Sequence, residues 1–388
     1  MTTRYLRAES QTLNSPVCST PATAHRRATP TSRALGQSGR GVKPETPVLM
    51  ADLSWRPASA VMEGELVLGF DEKPDPGTYR RIRVARVDAV RISRERAVTL
   101  STGLGEVTCN PDSLFLERNR FRRAAAIAAL RSAAVPVSPP VLGAAYKMGY
   151  LRGAMAGDGT FSRGPGQTRA QLRVCDASFA TRFARYGRDL CFDGFREFLY
   201  SVRYTMRPLY GIRTSRVEEV SRLAPYTEPN PTSQYMRGWL AGAFDAEGSD
   251  GGGAMFRIHQ RISNRPFWDT TRRFLTALDV AYTIEEKKPS KLPTRERMGS
   301  FRIGRFASQL RFIAMTQPVL RRKWAYLLCR RIRGAVMAAP VLSKRDASFR
   351  RMISIQTSTG TLIQGGFLSH DCRAVSPPRY ECGQDVRA

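Results

Sequence analysis

The stretches LRGAMAGDG (Leu151–Gly159) and LAGAFDAEG (Leu240–Gly248) repeat one pattern 89 residues apart. Each is an apolar run with small residues four apart, Gly153 and Gly157 in the first, Gly242 and Ala246 in the second. A carboxylate and then a glycine close each run. Small residues at this spacing let two helix axes approach at or below the usual ~8–10 Å. Gly159 and Gly248 are the residue type that ends a helix in the left-handed conformation. Asp158 and Glu247 then fall side by side at paired helix C-termini.

That placement is electrostatically costly, because a helix C-terminus already carries partial negative charge and two adjacent carboxylates repel. A bound divalent cation relieves both. Carboxylate oxygens with open water positions suit Mg²⁺, and such a centre beside a phosphate suits phosphodiester hydrolysis. Taken singly, Asp-Gly and Glu-Gly read as surface turns after core helices. The matched pair argues for a site.

Charge points the same way. The chain has 388 residues, 62 Lys+Arg against 33 Asp+Glu, and a net charge of +29. Residues 141–335 hold 34 basic and 16 acidic residues, whereas 41–140 hold 15 and 12. The surplus is concentrated around the repeat, as expected of a protein that binds nucleic acid through phosphates. Arginine outnumbers lysine, which favours bidentate contacts to phosphate and guanine.

Both segments resemble the two motifs of a single-chain LAGLIDADG (dodecapeptide, DOD-type) homing endonuclease. The eighth motif position, the catalytic acid of that family, is occupied by Asp158 and Glu247; the sixth, often acidic, is Asp245 in the second motif and Ala156 in the first. The resemblance implies an α+β fold of two pseudo-symmetric αββαββα-type halves forming a DNA-binding saddle, with Mg²⁺ as cofactor and double-stranded DNA as partner. It implies a monomer with an internal pseudo-two-fold. Asp158 and Glu247 would each help hold metal and cut one strand.

Around the motifs, strand-like alternation is followed by a helix in each half: 170–176 then 180–190, and 255–262 then 266–278. Residues 281–288 and 298–305 form a further basic hairpin about the turn 289–297. By resemblance these strands lie in the major groove, making Arg257, Arg261, Lys287, Lys288, Lys291, Arg302 and Arg305 the DNA-contact candidates. Singly, each also reads as a solvated surface charge. One basic residue near the metals assists in this family, and Arg261, Lys287 and Lys288 are the candidates.

The flanks carry a second resemblance. Residues 46–70 look like the opening strands of an intein (Hint) domain, and TSTGTLIQGGFLSHDC (Thr357–Cys372) like its closing strands and C-terminal junction. This implies an all-β Hint module interrupted by the endonuclease. Splicing chemistry in that family needs four things. The first residue should be a nucleophile, but reading back from Thr46 places it at Gly41; Cys18 lies too far upstream. The Thr-x-x-His element is replaced by Asn110 and Ser113, which removes the imidazole. The terminal His-Asn reads His370-Asp371. Only the downstream Cys372 matches, so splicing is expected to be lost.

The expected organisation is a basic tail, transit-like segment or upstream host remnant over 1–40; the first part of the β module over 41–120; a short Ala-rich helix and proline linker over 121–140; the endonuclease over 141–335, in halves 141–230 and 231–335; the rest of the β module over 336–372; and a downstream remnant over 373–388. The seven cysteines show no zinc spacing, and no run approaches the ~20 apolar residues that span a bilayer. A soluble intracellular (cytoplasmic or nucleoid-associated) protein with reduced thiols is expected. Two alternatives stand beside the nuclease: a DNA-binding remnant that no longer cuts, and a working splicing element.

Overall fold

Short apolar–polar alternations broken by glycine and proline make the first part of the chain a series of strands: β1 (Pro47–Leu49), β2 (Trp55–Pro57), β3 (Leu66–Phe70), β4 (Arg80–Thr102), β5 (Gly105–Cys109), β6 (Leu114–Glu117), β7 (Arg120–Arg123) and β8 (Ala129–Ser132). The computed structural model of the protein describes residues 40–74, 79–164, 167–200, 208–252, 255–286, 296–332 and 336–371. The Ala-rich run expected as a helix is instead β7, a turn and β8. Tertiary partners overrule local propensity here: Ala124, Ile127 and Leu130 are fully buried in the β core. The Glu117 carboxylate accepts from the backbone N–H of Ala128 (2.9 Å) and Ala129 (3.0 Å), fixing the turn.

After the proline-rich linker come α1 (Ala144–Gly157), β9 (Gly159–Gly164), β10 (Gln167–Val174), α2 (Ala177–Asp189), β11 (Arg196–Tyr200), β12 (Leu209–Thr214) and α3 (Val217–Arg222). The same succession follows as α4 (Ser233–Glu247), β13 (Gly248–Ser249), β14 (Phe256–Arg261), α5 (Arg265–Ala277), β15 (Thr283–Glu286), β16 (Met298–Ile303) and α6 (Phe306–Thr316). The sheets share one antiparallel order, β9-β10-β12-β11 and β13-β14-β16-β15. Over the described residues the expected strand and helix spans hold to within a few residues; 287–295, the end of one expected strand and most of the turn, lie outside them. Caps set the starts: Thr232 accepts from Tyr235 N–H (3.2 Å) at α4, and Asn264 from Phe267 N–H (3.4 Å) at α5, which also opens with Pro266.

The chain then returns to the β part as β17 (Arg331–Ile332), β18 (Met337–Thr357), β19 (Thr361–Gln364) and β20 (Phe367–His370). β18 runs antiparallel to β4 from Val341 opposite Thr102 to Thr357 opposite Val87. β1 pairs with β19, and β20 with β6, β8 and β19. Strands from the two ends of the described chain are thus interleaved in one large antiparallel sheet. One apolar core lies within that sheet. A second runs from its residues Leu49, Phe70 and Ile82 to Trp239, Phe244 and Phe301 of the second α/β half. The fold is mixed α/β with large antiparallel sheets, and among the described residues no helix is long and apolar enough to cross a membrane.

Candidate active site

The repeated segments form the closely packed helices α1 and α4. A side chain at Gly149 or Gly153 would overlap the carbonyl oxygens of Tyr235 and Trp239, and one at Gly238 or Gly242 those of Tyr146 and Tyr150. Backbone meets backbone at these four glycines, and at Gly157 the neighbours are the Ala246 and Glu247 side chains. The helices end differently from expectation. Asp158 caps α1 with φ −95° and Gly248 caps α4 with φ −77°, so neither terminal glycine is left-handed. What Gly159 and Gly248 supply is room: a Cβ there would strike the carbonyls of Met155 and Phe244 in the last helical turn.

Asp158 and Glu247 therefore stand at adjacent helix ends. Lost solvation lifts the Glu247 carboxyl to about 7, reinforced by the Asp158 charge, against the pull of Lys323, of the Gln260 amide and of Arg261. Asp158 reaches solvent at the rim, yet enough protein surrounds its carboxylate to raise it too, with Lys323 opposing. Burial and the crowding of two carboxylates thus favour the protonated form of Glu247 near neutrality.

Lys323 is a basic residue close enough to act on both acids that sequence reasoning did not select. It lies in a single 3₁₀ turn (Arg321–Lys323) after α6 and is only 6% exposed. Its Nζ donates to the carbonyls of Phe244 (3.0 Å), Asp245 (2.6 Å) and Ala246 (3.3 Å), satisfying the open end of α4. Burial lowers it to about 8, against the attraction of Asp245. Asp245 anchors that turn: its carboxylate, in a residue 1% exposed, accepts from Tyr150 Oη (2.7 Å) and from the N–H of Val319 (2.8 Å) and Leu320 (2.9 Å). Burial nonetheless pushes it above the usual carboxylate range. Ala156, at the same motif position in α1, has no such capacity.

Gln260 of β14, also unforeseen, donates Nε2 to Glu247 Oε1 (3.3 Å). Gly248 is opposite Ile258 and Gly159 opposite Leu172, so the matching place in the first half is held by Val174. The two acids have unequal surroundings.

On the sheet of the second half, Arg257 and Arg302 face each other across strands and share Glu285 (3.3 and 3.6 Å). Arg261 pairs with Glu296 (3.0 Å), and Arg305 is exposed at the start of α6. Lys287, Lys288 and Lys291 lie outside the described residues. In the first half Arg173, Arg196 and Arg213 are exposed on the corresponding four-stranded sheet. The sequence reading did not select them, because nothing in their spacing separates them from ordinary surface charge.

The splicing-like positions fall into two groups. The Gly41 carbonyl accepts from Asn110 N–H (2.9 Å) and Ser113 Oγ (3.2 Å). His370 is buried, its Nδ1 3.1 Å from the Asp371 carbonyl and its Nε2 3.3 Å from Glu72 Oε1. The Asp371 carboxylate accepts from Thr357 N–H (2.8 Å). Cys372 lies outside the described residues.

No family model and no curated protein matches the chain. Among solved structures, it is similar to mesophilic variants of the homing endonuclease I-DmoI, at 16% identity and a TM-score of 0.36 over 45% of this chain and 96% of that one. I-DmoI in complex with DNA and Ca matches at 17% and 0.34, over 42% and 84%. Full-length DUF199/WhiA from Thermatoga maritima matches at 12% and 0.34, over 45% and 57%.

Proposed function

We propose that the chain is a site-specific, Mg²⁺-dependent double-strand DNA endonuclease of the LAGLIDADG class, embedded in a degenerate intein. The observation that carries this reading is the pair of carboxylates, Asp158 and Glu247, set together by helices whose glycines bring backbone against backbone. A structural role does not call for two crowded acids at two helix C-termini. The donor set fits Mg²⁺, which takes one or two carboxylates and completes its shell with water and substrate phosphate. When bound, the ion supplies Lewis acidity at the scissile phosphate.

The chain's own residues do the rest. Asp158 and Glu247 bind the ion through their oxygens once Glu247 has lost its proton. Gln260 orients Glu247 Oε1. Lys323 neutralises the α4 terminus, so that a doubly anionic centre is tolerated there. The exposed arginines of the two four-stranded sheets, with Arg305, hold the DNA phosphates, and each half, 141–230 and 231–335, takes one strand across a pseudo-two-fold in a monomer. The flanks, 41–120 and 336–372, are the two parts of a Hint module. Their interleaving in one sheet supports this, as does the grip of Asn110 and Ser113 on Gly41. With Gly41, Ser113 and Asp371 at the chemical positions, splicing is lost.

The test is cleavage of a plasmid carrying the uninterrupted host gene, with Mg²⁺ and with EDTA. The wild type should make a metal-dependent double-strand cut. Asp158→Asn should abolish cutting while binding largely persists. Equal inertness of both proteins, with salt-sensitive binding, would leave the DNA-binding remnant as the function; an excised fragment on expression would mark a working splicing element.

A further inference from the structure

We propose that the middle of the β4–β18 ribbon is a second DNA-contacting element, an arm that grips the phosphate backbone of duplex DNA outside the two four-stranded sheets. This rests on the reading of DNA as substrate. Arg91, Arg94, Arg350 and Arg351 are all exposed along this stretch. Arg94 lies directly opposite Arg351 in the ladder. Like charges in directly opposed positions destabilise a sheet. Among the described residues Arg91, Arg94 and Arg351 make no ion pair, and the nearby acids are engaged elsewhere. Glu95 accepts from Asn110 Nδ2 (2.6 Å), Asp346 pairs with Arg96 (2.9 Å) and Glu106 with Arg345 (2.9 Å).

The ladder also shifts register between Ala347 and Arg350, a bulge that carries Phe349. Bulges re-aim side chains. Phe349 is 63% exposed and Ile92, on the partner strand, 62%. The finished sheet gains nothing from opposed arginines or from a bare phenylalanine. A duplex offers both partners: phosphates for the guanidinium forks, and sugar edges and thymine methyls for the ring. A two-stranded ribbon also has the width that a major groove admits.

The test measures the salt dependence of binding to a random-sequence 40-bp duplex by fluorescence anisotropy. The proteins are the wild type, the Arg91→Gln/Arg94→Gln/Arg351→Gln triple variant and, as a second probe of the same arm, Phe349→Ser. Each lost phosphate contact lowers the slope of log affinity against log salt by about 0.9, so the triple variant should lose roughly 2 to 3 from the slope. Its thermal midpoint should be unchanged or higher, because the Arg94–Arg351 opposition is gone. Phe349→Ser should weaken binding several-fold with little change of slope. A triple variant with wild-type slope and affinity overturns the proposal while leaving the nuclease reading intact. A wild type without salt-dependent affinity for duplex overturns both. Tighter binding of single-stranded RNA than of duplex, lost in the triple variant, would assign the arm to RNA and overturn it as well.

Discussion

Glu247 holds a proton into the neutral range because burial and the neighbouring Asp158 charge both disfavour its anion. Its folded value of about 7 lies above the ordinary 4.5, so between those limits the folded chain binds more protons than the unfolded one. Stability of the metal-free protein should therefore fall as pH rises from about 5 to 7. In EDTA, the thermal midpoint of Glu247→Gln should exceed that of the wild type by a margin that widens over this window. The margin should close when Mg²⁺ is added, since only the wild type keeps both ligands. Parallel pH profiles for the two proteins in EDTA would sink the assignment. Cleavage should rise over the same interval, as the carboxylate becomes free to bind metal.

At the scale of the helices, the α1–α4 contact leaves no room for a side chain at its glycines. Gly153→Ala places a methyl on the Trp239 carbonyl and should destabilise the fold by about 3 kcal/mol or more, the upper range for overpacking. Gly304→Ala, two residues before α6, meets nothing within 4 Å and should leave the denaturation midpoint essentially unchanged. This contact was legible in the sequence because glycine spacing and terminal acids recur twice in a short pattern. Lys323 and Gln260 were not. Each reaches the acids only through tertiary folding, from a one-turn helix and from a strand whose register no local rule fixes. The glycines after the motifs were misread for a related reason: the same residue type serves left-handed φ and close backbone approach, and spacing does not separate the two. Alanine propensity likewise misled over 121–132, where burial against the β core decides.

For the molecule as a whole, the apolar core that joins β-part residues such as Phe70 and Ile82 to Trp239 and Phe301 makes the α/β region depend on its flanks. An excised 141–335 fragment loses that part of its core. At a loss of about 3 kcal/mol it should melt roughly 6–12 °C below the full chain, on the usual scaling for domains of this size. A fragment that melts with the full chain would mean that the shared core contributes little. The long ribbon itself was invisible in the sequence, because β18 begins far beyond the end of β4 and no alternation announces a partner at that distance.

The separation of those strands has a consequence for the chain as it leaves the ribosome. β4 can form local hairpins at both ends, with β3 and with β5. Its middle, from Val87 to Ala97, waits for β18, more than 230 residues later. At translation speeds of about 5–20 residues per second, that wait lasts on the order of ten to fifty seconds. An open strand edge is a template for aggregation, and charge is the common protection. Arg91, Arg94 and Arg96 put charge of that kind on the edge while it stands open, before the chain's own last strands arrive.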